Sequence, residues 1–404
     1  MALQKCSKPA CVYCGDTPVN HIVHFIDSTI SVLLKVGHTH RLKPHSRLMR
    51  FENSEIVQAI SALLLKILFV LRVLTVSTDK EQAATTRTKS IWTEAERRGI
   101  KMQEILIFGA HRDQMRAWLP VKKGSTTYKW HYFDSIPTPP WRSQHGLGWV
   151  DDKQSLKKVF AAKGLPVAHG KSVMSTRAAR ALHEKLQVPV IAKPREGSRG
   201  RHTTVAISDP QELTKAVSRA QQLCLFVLVE EYIPGRVYRA TCVDSKVIGI
   251  MELVRPSTIA DGMLTVDELR RQHNAQGKAF PQLTDVEDST LFRDAIQHQG
   301  YTPESIPPTG TQILLAELEE RTNGGYFVDC TDEIPAETIA TIERAAAVCG
   351  IDVVGFDIIS KNLADSNERF VFIEANSLPY IEIHDIPYAG PVRNVSSAVF
   401  DLWL

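Results

Sequence analysis

Near its carboxyl end the chain carries two short β-branched segments, VVGFDIIS and RFVFIEANS, separated by the polar stretch KNLADSNE. That pattern specifies an antiparallel hairpin. With the turn centred on Asp365 and Ser366, residues equidistant from it pair, so Asp357 falls opposite Glu374. Strand side chains alternate faces, and Glu374 and Asn376 therefore point the same way. Two carboxylates and an amide on one patch of sheet make an oxygen-rich site suited to Mg²⁺ that bridges nucleotide phosphates. Taken alone, the hairpin also reads as an ordinary sheet whose solvated face is acidic.

Two upstream segments bear on that choice. Residues 188–194 (VPVIAKP) read as a strand ending in Lys193, and EGSRGRHTTV follows at once. Gly197, Ser198 and Gly200 let backbone N–H groups approach an anion closely, with Lys193 supplying a point charge. A solvated basic turn is the alternative, and no G-x-x-x-x-G-K-[ST] motif makes this a P-loop. Next, FVLVEEYIPGRVYRATCVDSKVIGIMELV reads as strand, turn, strand, strand. Its first strand ends in Glu230, Glu231, Tyr232 and Ile233, either a backbone edge for an adenine ring or a plain sheet edge before a Pro-Gly turn.

The order of lysine, glycine-rich loop, Glu-Glu-Tyr-Ile, arginine, aspartate and Glu-x-Asn resembles the ATP-grasp superfamily of carboxylate–amine ligases. Within it, the chain is similar to the ATP-grasp portions of cyanophycin synthetase and the bifunctional glutathione synthetases. The segments that carry the resemblance are DKQSLKKVFAAKGLPVAHG, VIAKPREGSRGR, VEEYIPGRVYR, GGYFVDCTDEIP, VVGFDII, FIEANSLP and IPYAGPVRNVSSAVFDLWL, in unbroken order from Asp151 to Leu404. The resemblance implies that Lys153 and Lys193 touch ATP phosphates and that Glu230, Glu231, Tyr232 and Ile233 form the adenine hinge. It also implies that Arg239 steadies the phosphates or an acylphosphate, and that Asp357, Glu374 and Asn376 ligate Mg²⁺. Arg321, in EERTNGGY, matches more loosely a second arginine near the reacting carboxylate. Val237 departs from the pattern, standing where relatives carry an acidic ribose partner. His202 also departs, standing where a glycine is usual.

What the resemblance implies for activity is ATP-dependent joining of a small-molecule carboxylate to an amine, both from amino acids or peptides, with ADP and phosphate released. Two other functions are compatible with the residues: a nucleotide-binding scaffold with a lapsed site, and a membrane-associated ligase acting on envelope precursors. The Mur-ligase-like half of cyanophycin synthetase and the glutamate–cysteine ligase half of the bifunctional glutathione enzyme have no counterpart here.

The fold class expected is α/β (α+β): an ATP-grasp domain over 151–404, its lid at about 165–232, preceded by a small α/β domain and linker over 51–150. A Cys/His-rich element occupies residues 1–50. Composition agrees with a multidomain globular chain: 404 residues, 43% hydrophobic and 23% charged. A net charge of +3 is too mild for a nucleic-acid partner. No apolar signal segment opens the chain, and four scattered cysteines (Cys224, Cys242, Cys330, Cys349) read as reduced thiols of a cytoplasmic protein.

The other cysteines cluster. Cys6, Cys11 and Cys14 precede His21 and His24, giving C-x₄-C-x₂-C-x₆-H-x₂-H. Thiolates and imidazoles at such spacing form structural Zn²⁺ sites, although the two histidines are closer than usual. The same residues also read as a reduced amino-terminal tail. Residues 55–76 (EIVQAISALLLKILFVLRVLTV) approach membrane-spanning length, but Lys66 and Arg72 interrupt them. A helix buried between layers or across a homodimer, running into a strand at LRVLTVS, is expected instead. Then come a helix (EQAATTRTKSIWTEAERRGI), a strand (MQEILIFG), a surface linker (WHYFDSIPTPPW) and a helix beginning at DDK.

Overall fold

A computed structural model of the chain describes residues 11–14, 19–39, 67–142, 148–197, 200–278, 284–316 and 324–404. Residues 55–66 of the apolar stretch lie outside them; 67–70 are helical and Leu74–Ser77 is a strand, as the LRVLTVS segment suggests. Among the described residues, no helix is long and apolar enough to cross a membrane.

Four antiparallel strands form the first sheet, in the order Leu74–Ser77, Met102–Ile107, Gln114–Pro120 and Tyr128–Asp134. Helix Thr86–Arg97 covers one face, its first turn capped by the Thr85 hydroxyl accepting from Thr88 N–H. Ile91, Trp92 and Ala95 bury against Met102, Met115, Ala117 and Leu119. Residues 130–134 of the expected surface linker are in fact strand. Trp130 packs edge-on against Trp118 of the neighbouring strand at 5.5 Å, and the Arg116 guanidinium lies 4.5 Å above the Trp130 ring. The aromatic residues that suggested a surface layer are therefore cross-strand packing.

A five-stranded antiparallel sheet follows, in the order Tyr326–Asp329, Lys246–Val254, Arg236–Val243, Val353–Ser360 and Phe370–Asn376. Helices Lys153–Ala162 and Ala336–Cys349 bury Leu156, Phe160, Ile342 and Ala345 in its core. Phe160, Phe356 and Phe372 meet there, with ring centroids 5.1–6.1 Å apart. Val243 and Val353 of this sheet also enter the first sheet's cluster, together with Phe400 and Trp403. The two layers thus share one interior.

A second four-stranded antiparallel sheet runs Gly170–Val173, Val227–Glu231, Val190–Pro194 and Thr204–Ile207. Helices Thr176–Leu186 and Pro210–Ala220 pack on it through Ala179, Leu182, Leu213 and Val217. Between Val254 and Tyr326 lies an element that the sequence patterns did not announce. Strands Ser257–Ile259 and Gln312–Leu314 pair there, with helices Val266–Gly277 and Thr290–His298 beside them. Val266, Phe292, Ile296 and Ile313 give it a core of its own.

Candidate active site

The carboxylate hairpin forms with Asp357 directly opposite Glu374. The next pair is Ile358 with Phe372, so Ile373 is an extra residue and the second strand is bulged beside the carboxylates. Asn376 lies opposite Gly355, two residues from Glu374 on the same face. A Cβ at Gly355 would stand 2.6 Å from Pro379 Cβ, so only glycine lets the turn after Asn376 fold this closely over the strand. Asp151 fastens that turn, its carboxylate accepting from Ser377 N–H at 2.8 Å and from the Ser377 hydroxyl at 2.7 Å.

On its other side Asp357 pairs in register with Arg239. Arg239 Nε lies 3.3 Å from Asp357 Oδ1, an ion pair too poorly aligned for a hydrogen bond, and this buried Nε has no hydrogen-bond partner. The guanidinium sits 5.7 Å from both the Phe327 and Tyr380 rings. Burial pushes the Asp357 carboxyl up to about 7, with the charge of Glu374 adding to it against the pull of Arg239. For Glu374 burial acts the same way, but Lys153, the hydrogen bond from Asp357 and Lys193 overcome it and hold this carboxyl down. The two carboxyls are pushed in opposite directions and titrate as a pair. Two facing carboxylates with the Asn376 amide on the same face fit a divalent cation, whose charge would offset theirs.

Helix Lys153–Ala162 spans the gap between the two sheets. Asp152 caps it, accepting from Ser155 N–H at 2.7 Å, and is fully buried in a bidentate pair with Arg195 at 2.7 and 2.8 Å. The cap aims Lys153 into the site, where its ammonium reaches Glu374 at 3.3 Å and the Gly197 carbonyl at 2.9 Å. One turn on, Lys157 reaches Glu230, whose carboxylate also takes Lys193 at 2.8 Å. All three side chains of this trio are at least 88% buried. Burial pulls the Lys157 ammonium down to about 8 even with Glu230 beside it. A Cβ at Gly170 would stand 2.4 Å from Glu230 Cα, so that strand can close over Glu230 only as glycine.

At the expected hinge, the N–H groups of Glu231 and Tyr232 donate to the His169 and Pro189 carbonyls, each at 2.8 Å. His169 N–H donates to the Glu231 carboxylate at 2.9 Å and not to its backbone carbonyl, and Pro189 has no N–H to return to Tyr232. The ladder thus stops at the residues where a ring could bond to backbone. The Glu231 carboxylate is further held by Arg369 at 2.5 Å.

The structure brings Lys153, Lys193, Gly197, Glu230, Arg239, Asp357 and Glu374 to one place between two sheets. Gly200 follows in the same loop with φ +63°. Ser198, Arg321 and Cys6 lie outside the described residues. Asp151 and Asp152 read from the sequence only as the start of a helix, and Lys157 is not singled out there, although it stands four residues after Lys153, on the same helical face.

The Cys/His cluster gathers a residue that the sequence reading did not include. Ligand atoms of Cys11, Cys14, His21 and His202 all lie within 4.8 Å of one another. His24 instead places its Nδ1 3.3 Å from the Leu223 carbonyl. The fourth member comes from 181 residues beyond His21, which no local spacing rule can find.

No protein-family model matches the chain. It is 30% identical over 329 residues to cyanophycin synthetase of Trichormus variabilis, covering 78% of this chain and 34% of that protein. It is 29% identical over 269 residues to the glutathione biosynthesis bifunctional protein GshAB of Enterococcus faecalis, covering 63% of this chain and 35% of that protein. The chain thus spans about a third of the length of these relatives. The crystal structure of a bifunctional glutathione synthetase from Pasteurella multocida superposes with a TM-score of 0.57 at 21% identity, over 78% of this chain and 43% of that one. The fold is the ATP-grasp fold expected from the order of the motifs.

Proposed function

We propose that this chain, with its ATP-grasp fold, is an ATP-dependent ligase that joins the carboxylate of one amino acid or peptide to the amine of another. One observation carries the reading: two lysines, an arginine and a facing carboxylate pair converge between two sheets. Lys153 and Lys193 would hold the nucleotide phosphates beneath the loop containing Gly197, Ser198 and Gly200. The hinge from Glu230 to Ile233 would receive the adenine along its interrupted ladder, with the Glu230 side chain setting Lys193 and Lys157. Asp357, Glu374 and Asn376 would hold Mg²⁺, which when bound neutralises charge on the transferred phosphoryl group.

In this reading a substrate carboxylate attacks the γ-phosphorus, giving an acylphosphate and ADP. The amine then attacks the acyl carbon and phosphate departs. Arg239, whose Nε is buried without a hydrogen-bond partner, would bond an anionic oxygen of the acylphosphate, with Arg321 as the second such group. The residues act by charge and position, as phosphoryl transfer requires, and none forms a covalent intermediate.

The same reading divides the chain at residues 50 and 150 and places the lid at about 165–232, in a cytoplasmic protein. It takes the Cys/His cluster as a structural zinc site. Incubation with Mg-ATP and a pool of amino acids and short peptides tests the activity. Mass spectrometry should find a condensation product lighter by one water than its two components. Nucleotide bound but no product from any acid–amine pair would return the chain to a binding scaffold.

A further inference from the structure

Residues 11–14 lie against the loop that joins strands Val190–Pro194 and Thr204–Ile207. His202 N–H donates to the Tyr13 carbonyl at 2.9 Å, and the Arg219 guanidinium sits 3.9 Å above the Tyr13 ring. Helix His21–Thr39 continues the contact. The Ser28 hydroxyl donates to the Leu223 carbonyl at 2.5 Å, and Leu225 N–H donates to the Thr29 hydroxyl at 3.2 Å. The amino-terminal segment is therefore docked on the lid, beside helix Pro210–Ala220.

Three sulfur–nitrogen separations at this contact match the spacing of ligands about one tetrahedral ion. Cys14 Sγ lies 3.3 Å from His21 Nε2 and 3.5 Å from His202 Nε2, and Cys11 Sγ lies 3.6 Å from His202 Nε2. Zinc bonds of about 2.3 Å to sulfur and about 2.0–2.1 Å to nitrogen, at the tetrahedral angle, place sulfur and nitrogen about 3.5 Å apart. Two sulfurs and two nitrogens in this arrangement select zinc over oxygen-seeking cations.

His202 is also prepared as a ligand from behind. Its Nδ1 lies 2.8 Å from the Arg219 carbonyl, which only accepts, so the ring proton sits on Nδ1 and the Nε2 lone pair faces the thiolates. The residue is 1% exposed and has φ +53°, a conformation that suits glycine and costs a histidine strain. Strain at a buried imidazole aimed at two cysteines is explained by a bond that the imidazole makes.

We infer that Cys11, Cys14, His21 and His202 bind one zinc ion, which clamps the amino-terminal segment to the far end of the glycine-rich loop. Lys153 holds the near end of that loop through the Gly197 carbonyl. The part of the inference that concerns nucleotide rests on the reading of this loop as the phosphate cradle. Metal binding would fix the loop in advance of ATP, and its loss would weaken ATP binding.

The test uses the full-length chain, purified without chelators, with zinc measured by elemental analysis. About one equivalent per chain is expected. His202→Gly should fold, because glycine relieves the left-handed backbone, and should lose the zinc. His24→Ala should keep it. Zinc absent from the wild type, retained in His202→Gly, or lost from His24→Ala would each overturn the site. Calorimetric titration with Mg-ATP separates the second claim: affinity should fall several-fold in His202→Gly. Unchanged affinity with the zinc gone would leave the site standing and overturn its coupling to the loop. The zinc measurement is independent of turnover, so failure of the ligase reading does not decide it.

Discussion

Glu374 touches each part of the proposed chemistry: Lys153 at 3.3 Å, Asp357 across the hairpin, and the open side of the gap, where 29% of its side chain is exposed. Glu374→Gln keeps the shape and removes the charge that would hold a cation. Turnover should fall on the order of 10³-fold or more, with an unchanged circular dichroism spectrum. An unchanged rate would make the hairpin purely structural. Glu230 differs in kind, because it is buried between Lys157 and Lys193 and sees no solvent. Glu230→Gln leaves two buried ammonium groups unbalanced and should cost about 3–5 kcal/mol in urea unfolding. Adding Lys157→Met should recover part of the loss, since the two side chains are coupled. A cost under about 0.5 kcal/mol, as for a surface substitution, would contradict the buried trio. These lysine partners were only half legible in sequence: Lys153 and Lys193 stand in recognisable motifs, whereas Glu230 looked like hinge backbone and Lys157 like one more basic residue of a helix.

At the scale of elements, helix Lys153–Ala162 joins the two sheets, and Asp152 fixes where it begins. Asp152→Asn retains a capping oxygen but breaks the bidentate pair with Arg195, whereas Asp152→Ala removes both. Both variants should be strongly destabilised, and the alanine further by about 1 kcal/mol for the lost cap. Equal unfolding midpoints for the two would show that the cap contributes nothing. The hairpin pairing of Asp357 with Glu374 could be read from symmetry about a polar turn. The bulge at Ile373 could not, because FVFIEAN alternates well enough with or without an extra residue. Tyr128–Asp134 was half misread for a related reason: proline just beyond the strand and aromatics within it look like a linker until Trp118 is known to lie alongside. His202 could not be grouped with Cys11, Cys14 and His21 from the sequence, because it becomes their neighbour only when the chain folds.

Across the whole molecule, the turn Ile381–His384 packs beneath the central sheet with His384 fully buried, its Nε2 2.8 Å from the Thr241 hydroxyl oxygen. Burial, reinforced by Arg393, lowers its pKa from 6.5 to about 3. The unfolded chain therefore takes up a proton that the folded chain refuses between about pH 6.5 and about pH 3. This contribution to stability is complete above about pH 6.5 and is lost as pH falls, by about 1.4 kcal/mol per pH unit at its steepest. His384→Gln should flatten the acid limb of melting temperature against pH, and an unaltered limb would place the acid sensitivity elsewhere. The proposed function carries one claim about chemistry above all, that phosphoryl transfer to a carboxylate precedes amide formation. The nucleotide released in the presence of Mg-ATP and a competent acid–amine pair measures it directly. ADP and inorganic phosphate in step with amide are the predicted products, and AMP with pyrophosphate would contradict the acylphosphate route.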